Sequence, residues 1–150
     1  MKKIMNTGLL ALAFLVISAC TSTPVDKGTD SAVPSGKGIV NINNQELQVL
    51  MDKNVTLVDI RRPEEWSLGV IPGSKKVTFF MKDGSINPEL IPQLKRVAPT
   101  DKPVALICRT GNRTQVGSLM IKTQLGYPTV YNVEKGITHW YSEGRAIAKR

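Results

Sequence analysis

Cysteine and histidine are nearly absent from this chain, with two cysteines and one histidine in 150 residues. So few soft ligands exclude the usual zinc sites, which gather several Cys and His side chains, and no metal or other cofactor is expected. Aromatic residues are scarce at 5%, and no basic-aromatic interleaving marks a surface on which nucleic-acid bases could stack. The formal charge is +8, but the lysines and arginines are scattered rather than blocked. Such a surface favours small anions, and nucleic acid is not an expected partner. Long hydrophobic runs are also missing: the stretch from Gly8 to Ile17 is too short to span a bilayer as a helix. What is there, 41% hydrophobic and 21% charged residues, suits one globular domain of ordinary size.

The short apolar stretch follows Lys2 and Lys3, the pattern of a secretory signal over residues 1–19. Its end, Leu15-Val16-Ile17-Ser18-Ala19-Cys20, resembles the bacterial lipobox. That resemblance implies cleavage before Cys20, lipidation of Cys20 and a membrane-anchored protein. Thr21 stands where an inner-membrane retention aspartate is usual, which implies an outer-membrane anchor facing the periplasm. Cleavage takes two lysines and no acid from the +8 chain, leaving +6. Residues 20–38 are rich in Ser, Thr, Gly, Pro and Asp and read as a flexible tether. With Cys20 acylated, Cys108 is left without a disulfide partner in an exported protein, and such a thiol is reactive or intermolecular.

From 39 to 150 short apolar runs alternate with helical periodicity. Strands are expected at Ile39–Ile42, Val55–Ile60, Val77–Phe79, Val104–Ile107 and Thr129–Tyr131. Helices are expected after an Asn43 or Asn44 cap, as a turn at Pro63–Trp66, and over Pro88–Val97, Thr114–Leu125 and Ile137–Glu143. This alternation predicts an α/β domain around a mostly parallel sheet, with its chemistry outside the carboxyl ends of the strands. Asp59 and Cys108 both fall there.

Cys108 follows the apolar run Val104–Ile107 and opens the segment Cys108-Arg109-Thr110-Gly111-Asn112-Arg113, ahead of a helix. Nearby cations and helix N-termini favour the thiolate form of a cysteine. Gly111 lets successive N–H groups turn inward as an anion-binding nest. The segment reads as an anion-binding nucleophile; the plainer alternative is a core cysteine followed by a polar turn.

Extended to Thr114, the segment resembles the active loop of single-domain rhodaneses, C-x-x-G-x-R-[ST]. Leu57-Val58-Asp59-Ile60-Arg61 with Glu65-Trp66 resembles that family's D-x-R and E-[FYW] element. Gly69-Val70-Ile71-Pro72-Gly73 is similar to G-H-I-P-G, with Val70 in place of histidine. Val133, Gly136, Ile137 and Trp140 resemble the terminal V-x-x-G-[IMF]-x-x-W, with Lys135 where a first glycine is common. The resemblance implies a three-layer rhodanese-like domain over 39–150 and sulfur transfer by double displacement. Cys108 would take the outer sulfur of thiosulfate or a similar donor as a persulfide and pass it to cyanide or a thiol. Arg109 would hold the anionic donor, and the amides of Arg109, Thr110, Gly111, Asn112, Arg113 and Thr114 would stabilise the persulfide. Arg113 would either bind donor or brace the loop. Asp59 and Arg61 would orient the strand ends, Trp66 and Trp140 would pack, and His139 would take no part in catalysis.

Two other functions fit parts of the sequence. A phosphatase or arsenate reductase of the same fold uses C-x5-R, but here the arginine comes one residue early. A membrane-tethered sulfur carrier or docking module would keep Cys108 without turning over thiosulfate. No pattern requires self-association, so a monomer is expected.

Overall fold

The computed structural model describes residues 37–149. The expected signal segment 1–19, the lipidation site Cys20 and the tether up to residue 36 lie outside the described residues. Five strands and five helices follow one another as β1 (Gly38–Ile42), α1 (Asn44–Asp52), β2 (Thr56–Asp59), α2 (Pro63–Trp66), β3 (Lys75–Lys76), α3 (Leu90–Val97), β4 (Val104–Ile107), α4 (Asn112–Leu125), β5 (Thr129–Val133) and α5 (Gly136–Ser142). The strands form one sheet in the order β1-β5-β4-β2-β3, and every pairing is parallel. The expected α/β class is therefore observed, with β4 at the centre.

Parallel sheets are covered on both faces, so their inner strands read as unbroken apolar runs. Val104-Ala105-Leu106-Ile107 is such a run, and all four residues are buried. Successive residues point to opposite faces. Leu106 and Val58 join Phe79, Leu90, Leu94 and Ile121 on the face covered by α3 and α4. Ala105, Ile107 and Leu57 join Leu47, Leu50, Ile137 and Trp140 on the face covered by α1 and α5.

Local chemistry sets the helix ends. Asn43 caps α1: its side-chain oxygen accepts from the Gln45 and Glu46 N–H groups at 2.9 Å, and Glu46 accepts from the Asn43 N–H at 2.8 Å. This reciprocal box is worth about 1 kcal/mol. Pro92 is third in α3, where a missing N–H costs no helical bond.

Three expectations need correction. Val77–Phe79 is not a strand; the paired residues are Lys75 and Lys76. Val77 and Phe79 still donate to the Asp59 and Ile60 carbonyls at 3.1 and 3.3 Å, and both are buried. Their apolar spacing reflects core burial alongside β2, which has ended at Asp59 and so offers no further ladder. Helix α3 begins at Leu90 rather than Pro88, because Asn87 and Glu89 form a turn in which the Asn87 side chain accepts from the Glu89 N–H at 3.0 Å. Helix α4 begins two residues earlier than expected, at Asn112, because Gly111 takes a left-handed conformation (φ 96°) and lets the chain turn into the helix at once.

Candidate active site

The carboxyl end of β4 delivers Cys108 to the N-terminus of α4, a helix of 14 residues. The Gly111 N–H donates to Cys108 Sγ at 3.2 Å. Thr114 Oγ1 lies 3.8 Å from the same sulfur and donates to the Gly111 carbonyl at 2.7 Å. Cys108 is only 1% exposed. A reagent must therefore reach the sulfur with a slender end.

The outer side of the loop is clamped by the turn between β5 and α5. The Ile137 N–H donates to the Cys108 carbonyl at 2.8 Å, and the Thr138 N–H to the Arg109 carbonyl at 3.1 Å. Both glycines at this junction are obligatory. A methyl group on Gly111 would lie 1.7 Å from the Glu134 carbonyl oxygen, and one on Gly136 would lie 2.4 Å from that of Arg109. Lys135, by contrast, sits at φ −97°, which any residue can adopt, so its departure from the double-glycine pattern changes nothing in the turn.

The inner side is braced by charge. Arg113, in the first turn of α4, holds Glu65 through two parallel bonds of 2.7 and 2.6 Å. The same carboxylate accepts from the Arg62 N–H at 3.1 Å, which also caps α2. Burial pushes the Glu65 carboxyl up, but the Arg113 and Arg62 hydrogen bonds and the neighbouring positive charge outweigh it and hold it at about 2. The bond to Glu65 likewise raises the Arg113 guanidinium above its ordinary value against the cost of burial. Behind this pair lies a second. Asp59 and Arg61, 0% and 2% exposed, form a salt bridge at 2.8 Å, and Arg61 also donates to the Glu65 and Gly69 carbonyls at 2.8 and 2.7 Å. Burial works against the Arg61 charge, and its bonds to Asp59 overcome that, leaving the guanidinium above its ordinary value. The corner between β2 and α2 is thus wired to the loop through Arg61, Glu65 and Arg113.

Arg109 and Thr110 are exposed on the loop, as is Asn112 at the start of α4, whereas Gly111 and Thr114 are buried beneath them. Among the described residues the Arg109 guanidinium has no hydrogen-bond or ion-pair partner. It faces a cavity of about 440 Å³ together with Arg62, Glu65, Arg113, Phe80 and Lys82. Cys108, Arg109, Gly111, Arg113 and Thr114 are thus gathered at one place, while Asp59 and Arg61 stand behind them. Trp140 is buried and donates to the Ala146 carbonyl at 2.9 Å, and half-buried Trp66 lies under Lys76. His139 Nε2 lies 3.0 Å from a carboxylate oxygen of Glu143, the residue that follows α5. Val70 is buried and exchanges backbone bonds with Ala148, tying the end of the chain to the domain.

Sequence reasoning had Glu65 only as a motif residue and as an acid favouring the start of α2, and it missed the wall formed by Phe80 to Gly84. The first was within reach, since a carboxylate in one motif and an arginine in another suggest a pair. The wall carries no chemistry-bearing pattern.

A thiol at the junction of a central parallel strand and a helix N-terminus, with the Gly111 N–H aimed at its sulfur, is the centre of this α/β domain's candidate site. Residues 43–143 match the Rhodanese-like domain family, and the chain belongs to that family. It is similar to a sulfurtransferase of Allochromatium vinosum, with 33% identity over 63% of this chain and 79% of that protein. It is also similar to the thiosulfate sulfurtransferase GlpE of Pseudomonas fluorescens, with 28% identity over 65% of this chain and 81% of that one. Among solved structures, Rv0390 from M. tuberculosis superposes with a TM-score of 0.62 at 26% identity, covering 77% of this chain and all of that one. The polysulfide-sulfur transferase homodimer of Wolinella succinogenes gives 0.59 at 25% identity over 75% of this chain and 80% of that one.

Proposed function

We propose that this protein is a thiosulfate-type sulfurtransferase working through a persulfide on Cys108. The thiolate attacks the terminal sulfur of an anionic donor. The bond between that sulfur and the donor's sulfonyl centre breaks, and its electron pair leaves with sulfite. The sulfane sulfur stays on Cys108 as a persulfide anion until cyanide or a thiol removes it and restores the thiolate. Arg109, exposed and unpaired, receives the donor's oxygens. Arg113, held by Glu65, braces the loop, and the Asp59–Arg61 pair fixes the corner behind it. The observation that carries this reading is the Gly111 N–H aimed at Cys108 Sγ, in a loop whose arginine comes one residue too early for the phosphate-binding C-x5-R spacing. Two of the relatives named above, a sulfurtransferase and a thiosulfate sulfurtransferase, support the same chemistry.

Whole-protein mass spectrometry after thiosulfate treatment tests it. A gain of one sulfur atom at Cys108, reversed by cyanide and absent in Cys108→Ser, is the expected result. A reduced, folded protein that gains no sulfur from thiosulfate sinks the proposal. The same reading places the domain at a membrane surface through lipid on Cys20, exported and facing the periplasm. Incorporation of labelled fatty acid that is lost in Cys20→Ser checks that part.

A further inference from the structure

The cavity beside Arg109 does not end at the loop. A second cavity of about 660 Å³ adjoins it, and Arg62, Phe80, Met81 and Lys82 line both. Pro63, Glu64, Thr78 and Asp83 complete the far wall. Each cavity falls in the range of about 300–1,000 Å³ in which proteins bind ligands of drug size. Thiosulfate, a compact ion, fills a minor part of either.

The wall between them is built rather than incidental. Phe80 and Ile86 face each other across an antiparallel bridge, and the Met81 N–H donates to the Ser85 carbonyl at 2.8 Å. Asp83 accepts from the Ser85 N–H at 2.9 Å and from its hydroxyl at 2.6 Å, closing the turn. Asn87 anchors the base through the Thr78 and Phe79 carbonyls at 2.8 and 2.9 Å. Phe80 packs edge-on against buried Phe79. Met81 nonetheless remains 43% exposed, an apolar side chain held open at the mouth of the groove.

Charge is divided along the groove. Glu64 is paired with Arg62 at 2.8 Å and Glu65 with Arg113, whereas Asp83, bonded to the neutral Ser85 hydroxyl, keeps its charge in the wall of the second cavity. Arg62 and Arg113 are neutralised by the same contacts. Among the described residues, Arg109 and Lys82 are the cations of these walls left without a partner, and both are exposed. Two free positive charges thus flank an apolar patch of Phe80, Met81 and Pro63.

We propose that the groove binds the organic part of an amphipathic sulfane donor, an anionic head on an apolar body, with Phe80 and Met81 selecting for that body. This rests on the sulfurtransferase reading above and names its substrate class. An alkanethiosulfonate serves as the probe. Cys108 thiolate takes its terminal sulfur, the sulfur–sulfur bond breaks with its electron pair going to the departing alkanesulfinate, and the persulfide anion remains. Arg109 and Lys82 face the sulfinate oxygens while the alkyl chain lies along Phe80 and Met81.

Methyl and hexyl thiosulfonates share the reacting group and differ only in apolar length, so their ratio of kcat/KM isolates the groove. With cyanide as acceptor, the hexyl donor is expected to exceed the methyl donor by about tenfold or more, chiefly through KM, since each buried methylene favours binding. In Met81→Ser, whose parent side chain is 43% exposed, the ratio falls about threefold or more, Phe80 keeping the remainder. Equal kcat/KM for the two donors in the unaltered protein overturns the inference while leaving sulfur transfer standing. A hexyl preference untouched by Met81→Ser also overturns it. If thiosulfate and both thiosulfonates all fail to load sulfur on Cys108, the sulfurtransferase reading is what fails.

Discussion

Two glycines do the work of holding Cys108 in position, and they do it by absence. Gly111 takes φ 96° and lies against the Glu134 carbonyl, so Gly111→Ala meets both backbone strain and a contact of 1.7 Å. Strain and displacement together are expected to cost about 3 kcal/mol and to abolish sulfur transfer. Gly126, at φ 69° with nothing within 4 Å, is the control. Gly126→Ala pays only for the left-handed conformation, about 1 kcal/mol, and keeps activity. Urea denaturation of the two variants measures the difference. Arg109 presents the opposite case, a side chain exposed and free of partners. Arg109→Ala should leave stability within about 0.5 kcal/mol of the parent. On the proposed function its effect falls on donor binding, where losing a charged hydrogen bond is expected to raise KM for thiosulfate about tenfold or more. Steady-state kinetics beside a urea titration separate the two effects.

At the scale of elements, the join between α2 and α4 is an ion pair with a pH signature. Glu65 is held at about 2 in the folded protein against 4.5 for the free carboxyl. A carboxyl depressed by folding adds stability that is complete above its unfolded pKa and disappears as pH falls through the folded one. The contribution, about 2 kcal/mol at neutral pH for this largely buried group, is therefore lost between pH 4.5 and 2. Glu65→Gln should flatten the fall in urea midpoint across that window, and an unchanged slope would show that other carboxyls carry it. The same pair marks where the sequence stopped being readable. Cys108 and its loop were legible because a lone thiol, a glycine and two arginines at fixed spacing have few other uses. The role of Arg113 was not, because its partner lies 48 residues away and only the packed sheet brings α2 beside α4. The extended stretch at 77–79 misled for a related reason. Apolar spacing reports burial, and burial without a neighbouring ladder does not make a strand.

For the whole molecule, the alternation of short apolar runs with helical periodicity was enough to give an α/β domain, because a parallel sheet needs a crossover between its strands. Strand order was beyond it, since nothing in the apolar runs says that β5 enters between β1 and β4. The resulting sheet has two cores of similar standing. Leu106 faces α3 and α4, and Ile107 faces α1 and α5. Leu106→Ala and Ile107→Ala should each cost about 2–5 kcal/mol and melt in one cooperative transition, because both side chains hang from the same central strand. Calorimetry that resolved two transitions in either variant would count against a shared fold. The clamp on the loop adds a consequence in time. Cys108 is reached by a growing chain well before Glu134, Gly136 and Ile137, whose backbone groups hold the loop from outside. A nascent or partly refolded chain therefore carries its thiol without the cradle that gives the thiol a purpose. Competence arrives only when the last strand and helix close over it, so recovery of activity on refolding should lag the first helical signal and coincide with completion of the domain.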